Sequence, residues 1–404
     1  MEPKIRLKGF SGDWEKKQLS EILTISNEQN KKNVFSKEDV FSVSDEFGVV
    51  NQIKHLGRSY AGKSLTGYKV LRENQIVYTK SPLRAKPYGI IKVNETGTGI
   101  VSVLYGVYNV NENTYPKFID RYFEPGYRTN NYLLPLINKG AKNTINISDQ
   151  TTLNGAIYLP KDVKEQIAIC DYLDELDCQI QLTSKKVESL KQIKSACLDS
   201  MFPQEGKSIP DVRFAGFKGD WELVSLKDIT FPSGTKNKDN LPYKSYSISN
   251  ELGFVPQNEQ FENGGTMANA DKRMYYIVSP DSFAYNPARI NVGSIGYDDL
   301  NEDVIVSSLY VIFKTDNKTN NRFLNYWFKT NVFKRLVELY QEGGVRLYFF
   351  YDKLCACSMR RPSLAEQNKI ADYFANLDSQ IILQTQRLEK LKQIKSACLD
   401  NMFI

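Results

Sequence analysis

The sequence predicts an α+β chain in which two similar, mixed, strand-rich domains are separated by two long helices forming an antiparallel coiled coil, with a pseudo-two-fold internal repeat. Three observations predict it. Gln192-Ile193-Lys194-Ser195-Ala196-Cys197-Leu198-Asp199 recurs unchanged at 393–400, an offset of 201, and the likeness reaches upstream through Glu165-Gln166 with Glu366-Gln367 and Leu176-Asp177 with Leu377-Asp378. A second block, Arg6, Gly9-Phe10 and Gly12-Asp13-Trp14-Glu15, returns as Arg213, Gly216-Phe217 and Gly219-Asp220-Trp221-Glu222, at an offset of 207. Between the blocks lie two unlike inserts, 22–160 and 229–362, rich in Tyr, Asn, Val, Ile and Gly. A shared frame carrying dissimilar inserts implies two related tasks on two different targets.

The 404 residues suit two domains of ordinary size, 1–160 and 205–362, with helical segments at 161–204 and 363–404. Hydrophobic content of 41% and a mean hydropathy of −0.43 describe a soluble globular chain. No run of eighteen apolar residues occurs, and Met1 to Ser20 is polar throughout, so neither a membrane span nor a cleaved leader is expected and the cytoplasm is the expected location. The net charge of +6 permits a polyanionic partner without requiring one.

The helices come from a four-three spacing of apolar residues. In the first, Ile169, Leu173, Leu176, Ile180, Val187 and Leu190 form the seam and Cys197 and Met201 continue it; in the second, Ile370, Phe374, Leu377, Ile381, Leu388 and Leu391 lead to Cys398 and Met402. Thr183 and Lys194 fill polar slots in the first seam, and Gln384 and Lys395 fill the same slots in the second. One amphipathic helix of this length cannot keep its seam dry, so the two matching ones are expected to pair.

The inserts read as strands. Gln75-Ile76-Val77-Tyr78, 100–105 and 305–310 are short β-branched runs bounded by turn residues, and the last two share Ile-Val-Ser-x-Leu-Tyr. Phe118-Ile119 and Phe323-Leu324 keep the same offset of 205 and open short helical patterns.

Catalytic motifs do not survive inspection. Gly57 to Ser64 fits GxxxxGK[ST], the phosphate-binding loop pattern, yet that mechanism needs a buried strand before the loop and a helix after it. Upstream is polar and mixed, and Gly67 interrupts any helix downstream. Tyr285-Asn286-Pro287-Ala288 only grazes the amino-methyltransferase pattern, and no Glu-x-Lys follows Pro210-Asp211 or Pro280-Asp281 at nuclease spacing. Six cysteines without CxxC pairs and a single histidine, His55, supply no zinc ligand set, so no metal site is expected and the thiols are read as reduced. The chain is predicted to be non-catalytic and to bind no cofactor of its own.

What remains is basic and amide side chains interleaved with aromatics. In the first insert the candidate DNA-binding residues are Lys80, Arg84, Lys86, Arg128, Lys142 and Asn143; in the second they are Arg273, Asn286, Arg289, Asn291, Arg346 and Tyr348. Arg and Lys pair with guanine, Asn pairs with adenine, and all of them can hold phosphates. A tandem β-rich module for a protein or glycan, on a helical stalk, is the other class that such inserts fit.

Over essentially its full length the chain resembles the specificity subunits of type I restriction-modification enzymes. The resemblance rests on Gly9-Phe10-Ser11-Gly12-Asp13-Trp14 with its copy at 216–221, and on Pro362-Ser363-Leu364-Ala365-Glu366-Gln367 leading into a helix that ends Met-Phe. The first copy of that junction, Pro160 to Gln166, carries one extra residue, a departure expected to alter the angle of the first domain. The resemblance implies two target recognition domains, each reading half of a bipartite DNA site, with the helices as a spacer. It further implies docking of two methyltransferase subunits, and of two restriction/translocase subunits in the full complex. S-adenosylmethionine, ATP and Mg would then belong to those partners.

Overall fold

The computed structural model describes residues 1–80, 83, 85–139, 145–250, 252–260 and 271–404. The chain divides into two compact units, one of residues 1–184 with 386–404 and one of residues 185–385. This differs from a scheme in which each helix stands apart from the inserts: Val163–Ser200 and Leu364–Asn401, both 38 residues and about 57 Å long, each give one half to either unit. The physical reason is that their apolar stripes do two jobs, pairing with a helix and closing a domain core.

Each unit is built on a four-stranded antiparallel sheet. In the first, the spatial order is Leu23–Ile25, Gly106–Val110, Ile76–Thr79, Ile90–Val93. In the second it is Thr230–Pro232, Val311–Thr315, Phe283–Tyr285, Ile295–Tyr297, the same order of corresponding strands. A two-stranded ribbon ties the Gly-Asp-Trp block to the end of each insert: Glu15–Gln18 pairs with Ala156–Leu159, and Glu222–Ser225 with Ser358–Arg361.

The cores explain the Met-Phe at the end of each helix. Met402 and Phe403 close the first unit against Trp14, Phe118 and Leu173, with Phe118 and Phe403 ring centres 5.2 Å apart. Met201 and Phe202 close the second against Trp221, Phe323 and Phe374, with Phe202 and Phe323 at 5.3 Å. Pro203 then stops the first helix pattern.

Within each unit the helix segments run antiparallel. In the first, the Tyr172 hydroxyl meets Cys398 and Asp177 meets Lys395; in the second, Cys197 meets Tyr373 and Lys194 meets Asp378. The lysines of the polar slots thus find carboxylates on the facing helix. Ile169, Leu173, Leu176, Val187 and Leu190 are buried, as are Ile370, Phe374, Leu377 and Leu391, whereas Ile180, Ile381 and Leu388 are half-buried. All six cysteines are free, and burial pushes the Cys398 thiol up.

Candidate nucleic-acid interface

The junction between the long helices and the inserts is built on the same Arg-Glu and Gln contacts twice. Arg6 makes a two-pronged contact with Glu165 at 2.8 and 2.9 Å, and Arg213 with Glu366 at 2.7 and 2.8 Å. Both carboxylates are buried, and their hydrogen bonds hold each guanidinium above its ordinary pKa. Next door, the Gln166 amide donates to the Pro160 carbonyl and accepts from Tyr115 N–H, while Gln367 does the same with Pro362 and Asn320. The extra residue after Pro160 is absorbed by the helix start, where Asp162 accepts from Lys164 N–H, a role Ser363 takes toward Glu366. The glutamine contacts are the same in both units despite it. The sequence singles out the Glu-Gln pairs as repeats and as part of the helix-entry motif but assigns them no contact; Arg6 and Arg213, in the other repeated block, are the partners.

In the second unit two loops converge. The chain leaving Tyr285 is folded back by Asn286, whose carbonyl accepts from Arg289 N–H and whose side chain accepts from Ala288 N–H. A short 3-10 turn, Ile290–Val292, follows and is closed by Gly293 at φ 89°. Ile290 is buried as an anchor, leaving Arg289, Asn291 and Val292 on the surface. The second loop is a tight hairpin in which Glu342 and Tyr348 exchange backbone hydrogen bonds of 2.9 and 2.8 Å. Its tip turns at Gly343, φ 137°, where a Cβ would stand 2.1 Å from the Arg346 carbonyl oxygen, so only glycine fits. Phe349 is buried and its N–H donates to the Pro287 carbonyl at 3.0 Å, which fastens the hairpin to the first loop.

Asn286, Arg289, Asn291, Arg346 and Tyr348 are therefore carried by two loops joined to each other. Tyr348 and Phe350 lie with parallel rings 5.4 Å apart, and Val345, Arg346 and Leu347 project from the tip. Neither Arg289 nor Arg346 has a carboxylate partner among the described residues. Arg273 stands elsewhere on the surface, paired with Asp271 at 3.2 Å.

The first unit treats its candidates differently. Arg84, Lys142 and Asn143 lie outside the described residues. Lys80 shares Asp149 with Lys69, at 3.2 and 2.6 Å. Lys86 is buried, pairing with Asp45 and donating to the Phe123 carbonyl at 3.4 Å. Arg128 is buried too: it donates to the Leu399 carbonyl and lies 5.0 Å over the Phe403 ring, and burial pushes its pKa down. These two expectations need correcting. Both cations are desolvated and spent on holding loops and the end of the second long helix in place, because a buried charge requires its partners.

The phosphate-loop pattern fails structurally as well. Residues 57–64 follow a short helix, Gln52–Leu56, that Gly57 caps at φ 76°, and no helix begins after Ser64. Among the described residues, no group of three or more His, Cys, Asp or Glu stands where it could hold a metal ion, and no helix is long and apolar enough to cross a membrane.

No known family profile matches the chain. Among solved structures it is similar to the type I restriction-modification system S subunit from M. genitalium, with a TM-score of 0.56 at 12% identity, covering 100% of this chain and 99% of that one. The chain has the S-subunit fold. A further likeness is to the HsdS subunit from Thermoanaerobacter tengcongensis, with a TM-score of 0.49 at 16% identity over 97% of both chains. In this chain's own repeat, the joined loops of the second unit belong to an insert and the Arg-Glu junctions to the repeated frame.

Proposed function

We propose that this chain is the DNA-specificity subunit of a type I restriction-modification system, itself non-catalytic. The observation that carries the reading is the match of the whole chain, end to end, to an S-subunit structure. On this reading each insert with its sheet is a target recognition domain, 1–160 and 205–362, reading one half of a bipartite site. The joined loops of the second unit support it, since they offer two arginines with no carboxylate partner among the described residues, two amide side chains and a pair of aromatic faces. Such a surface combines phosphate-holding cations with groups able to reach base edges.

The two long helices pair along their length as one antiparallel coiled coil and set the number of base pairs between half-sites. About 57 Å of helix exceeds the roughly 34 Å of one duplex turn, so the helices are long enough for that role. The twice-built frame offers matching surfaces to two methyltransferase subunits, which bring S-adenosylmethionine. Two restriction/translocase subunits, using ATP and Mg, join in the full complex, and the assembly works in the cytoplasm. Lys80, Arg273 and the undescribed Arg84, Lys142 and Asn143 remain proposed contacts to DNA.

The test is methylome sequencing of a host with and without this subunit. The expected result is one split motif of two unlike halves that disappears with the gene. A methylation pattern indifferent to the subunit would reject the reading. A glycan- or protein-binding module has no such effect, and its affinity would respond little to salt, whereas DNA binding falls steeply through counterion release.

A further inference from the structure

The sequence Ile-Val-Ser-x-Leu-Tyr stands at 100–105 and 305–310, inside inserts whose other loops differ. In both units it builds the same turn. Tyr105 N–H donates to the Ser102 carbonyl at 3.0 Å and Tyr310 N–H to Ser307 at 3.1 Å, while each serine hydroxyl accepts from the tip leucine amide at 3.4 Å. The Ile-Val pairs before the turns are buried. The turns lift Leu104 and Leu309 into solvent, 69% and 71% exposed. A single exposed leucine needs no explanation. Two at matched tips of a turn that both inserts share do, because the buried Ile-Val pairs and the serine caps build the turn while the leucine side chains stand in solvent.

The strand register says what they face. Tyr78 stands opposite Gly106, and Tyr285 opposite Val311. The turn that precedes Gly106 therefore lies at the sheet end where the chain leaves Thr79 toward Lys80. Likewise, the turn before Val311 lies at the end where the chain leaves Tyr285 toward Arg289 and Asn291. Leu309 thus accompanies the joined loops of its unit, and Leu104 stands at the corresponding end of the first sheet, where Lys80 is.

We infer that Leu104 and Leu309 are sequence-independent DNA wedges, each pressing its side chain against the stacked bases of one half-site. This rests on the proposed DNA reading and adds a division of labour to it. The loops differ because the bases they read differ; the leucines are alike because every duplex has a base stack. Phosphates call for cations or N–H donors, which a leucine side chain lacks, whereas an apolar wedge can part a base step and kink the duplex.

The experiment uses the full chain co-expressed with its methyltransferase subunit, as wild type, Leu104→Ala, Leu309→Ala and the double variant. The probes are duplexes carrying the motif found by methylome sequencing, with 2-aminopurine replacing one base at a time outside the methylated adenine. Wild type is expected to raise the fluorescence several-fold at one step in each half-site. Leu104→Ala should abolish the rise in one half and Leu309→Ala in the other, each weakening binding to motif and scrambled duplexes alike by about tenfold. Leu→Met variants should keep both signals, and thermal unfolding should not move, since the side chains are exposed. Selective motif binding by wild type with no fluorescence response at any step would overturn the wedge and leave the DNA reading intact. So would alanine variants that shed methyltransferase subunits on gel filtration with the DNA signal unchanged, which would make the turns protein contacts. Failure of wild type to distinguish motif from scrambled duplex would instead remove the DNA reading on which the wedge depends.

Discussion

Glu165 and Glu366 are buried carboxylates on which Arg6 and Arg213 close with two hydrogen bonds each. Replacing either arginine with alanine leaves a buried carboxylate without its counter-charge, so Arg6→Ala and Arg213→Ala should each cost about 3 kcal/mol in urea unfolding. The cost should be the smaller at Arg6, since Glu165 also accepts from the Trp14 indole N–H at 3.4 Å and Glu366 has no such bond among the described residues. The cations of the inserts sort by exposure. Lys86→Ala should lower stability and leave DNA selectivity unchanged, while Arg289→Ala and Arg346→Ala should leave stability unchanged. Binding to motif and scrambled duplexes at several salt concentrations then separates two outcomes. A base contact gives selective loss of about 1 to 3 kcal/mol, and a phosphate contact gives uniform loss with a shallower salt slope.

A pH effect also belongs at this scale. Asp298 is buried, with one oxygen accepting from Leu300 N–H and the other without a partner among the described residues, and burial raises its pKa to about 7, helped by Asp299, Asp281 and Asp303. The folded state therefore holds a proton that the unfolded chain releases near its ordinary value of 3.8. Stability contributed by this group is full below that value and declines as pH rises to about 7, then stays flat. Asp298→Asn should remove that slope and raise stability at pH 8, measured by urea unfolding, by an amount on the order of 2–4 kcal/mol. An unchanged slope between pH 4 and 7 would show that Asp298 ionises normally.

At the scale of elements, the hairpin over 342–348 depends on one residue. Gly343→Ala puts a methyl into the Arg346 carbonyl at a backbone angle that alanine avoids, so the tip must reopen. Global stability should change by less than about 1 kcal/mol, because the tip is exposed, yet DNA binding should weaken in the same manner, selective or uniform, as for Arg346→Ala. The long helices offer a second test. Removing seven residues from the middle of one keeps the heptad register while shortening the helix by about 10 Å. Methylome sequencing should then show a changed spacer between unchanged half-sites; an unchanged spacer with retained activity would end the idea that the helices measure distance.

At the scale of the whole molecule, the sheets of both units share one strand order while the inserts differ in most of their sequence, which on the proposed reading is the arrangement expected of exchangeable readers. On the proposed reading, grafting the corresponding insert of a type I specificity subunit in place of residues 22–160 should alter one half of the methylated motif only. Changes in both halves, or in neither, would contradict modular reading.

The duplication, the two long helices and the Glu-Gln junctions are legible in the sequence because they are one-dimensional facts: an offset, a four-three period, a repeated Pro before a helix start. The fate of individual cations is not legible in this way. Lys86 and Arg346 look alike as basic residues beside aromatics, but one is buried against Asp45 and the other projects from a glycine-turned hairpin. That difference arises from contacts between segments remote in sequence, such as Lys86 with Asp45 or Arg128 with Leu399. Only the tertiary structure decided it, because desolvation depends on what the folded chain packs around a charge.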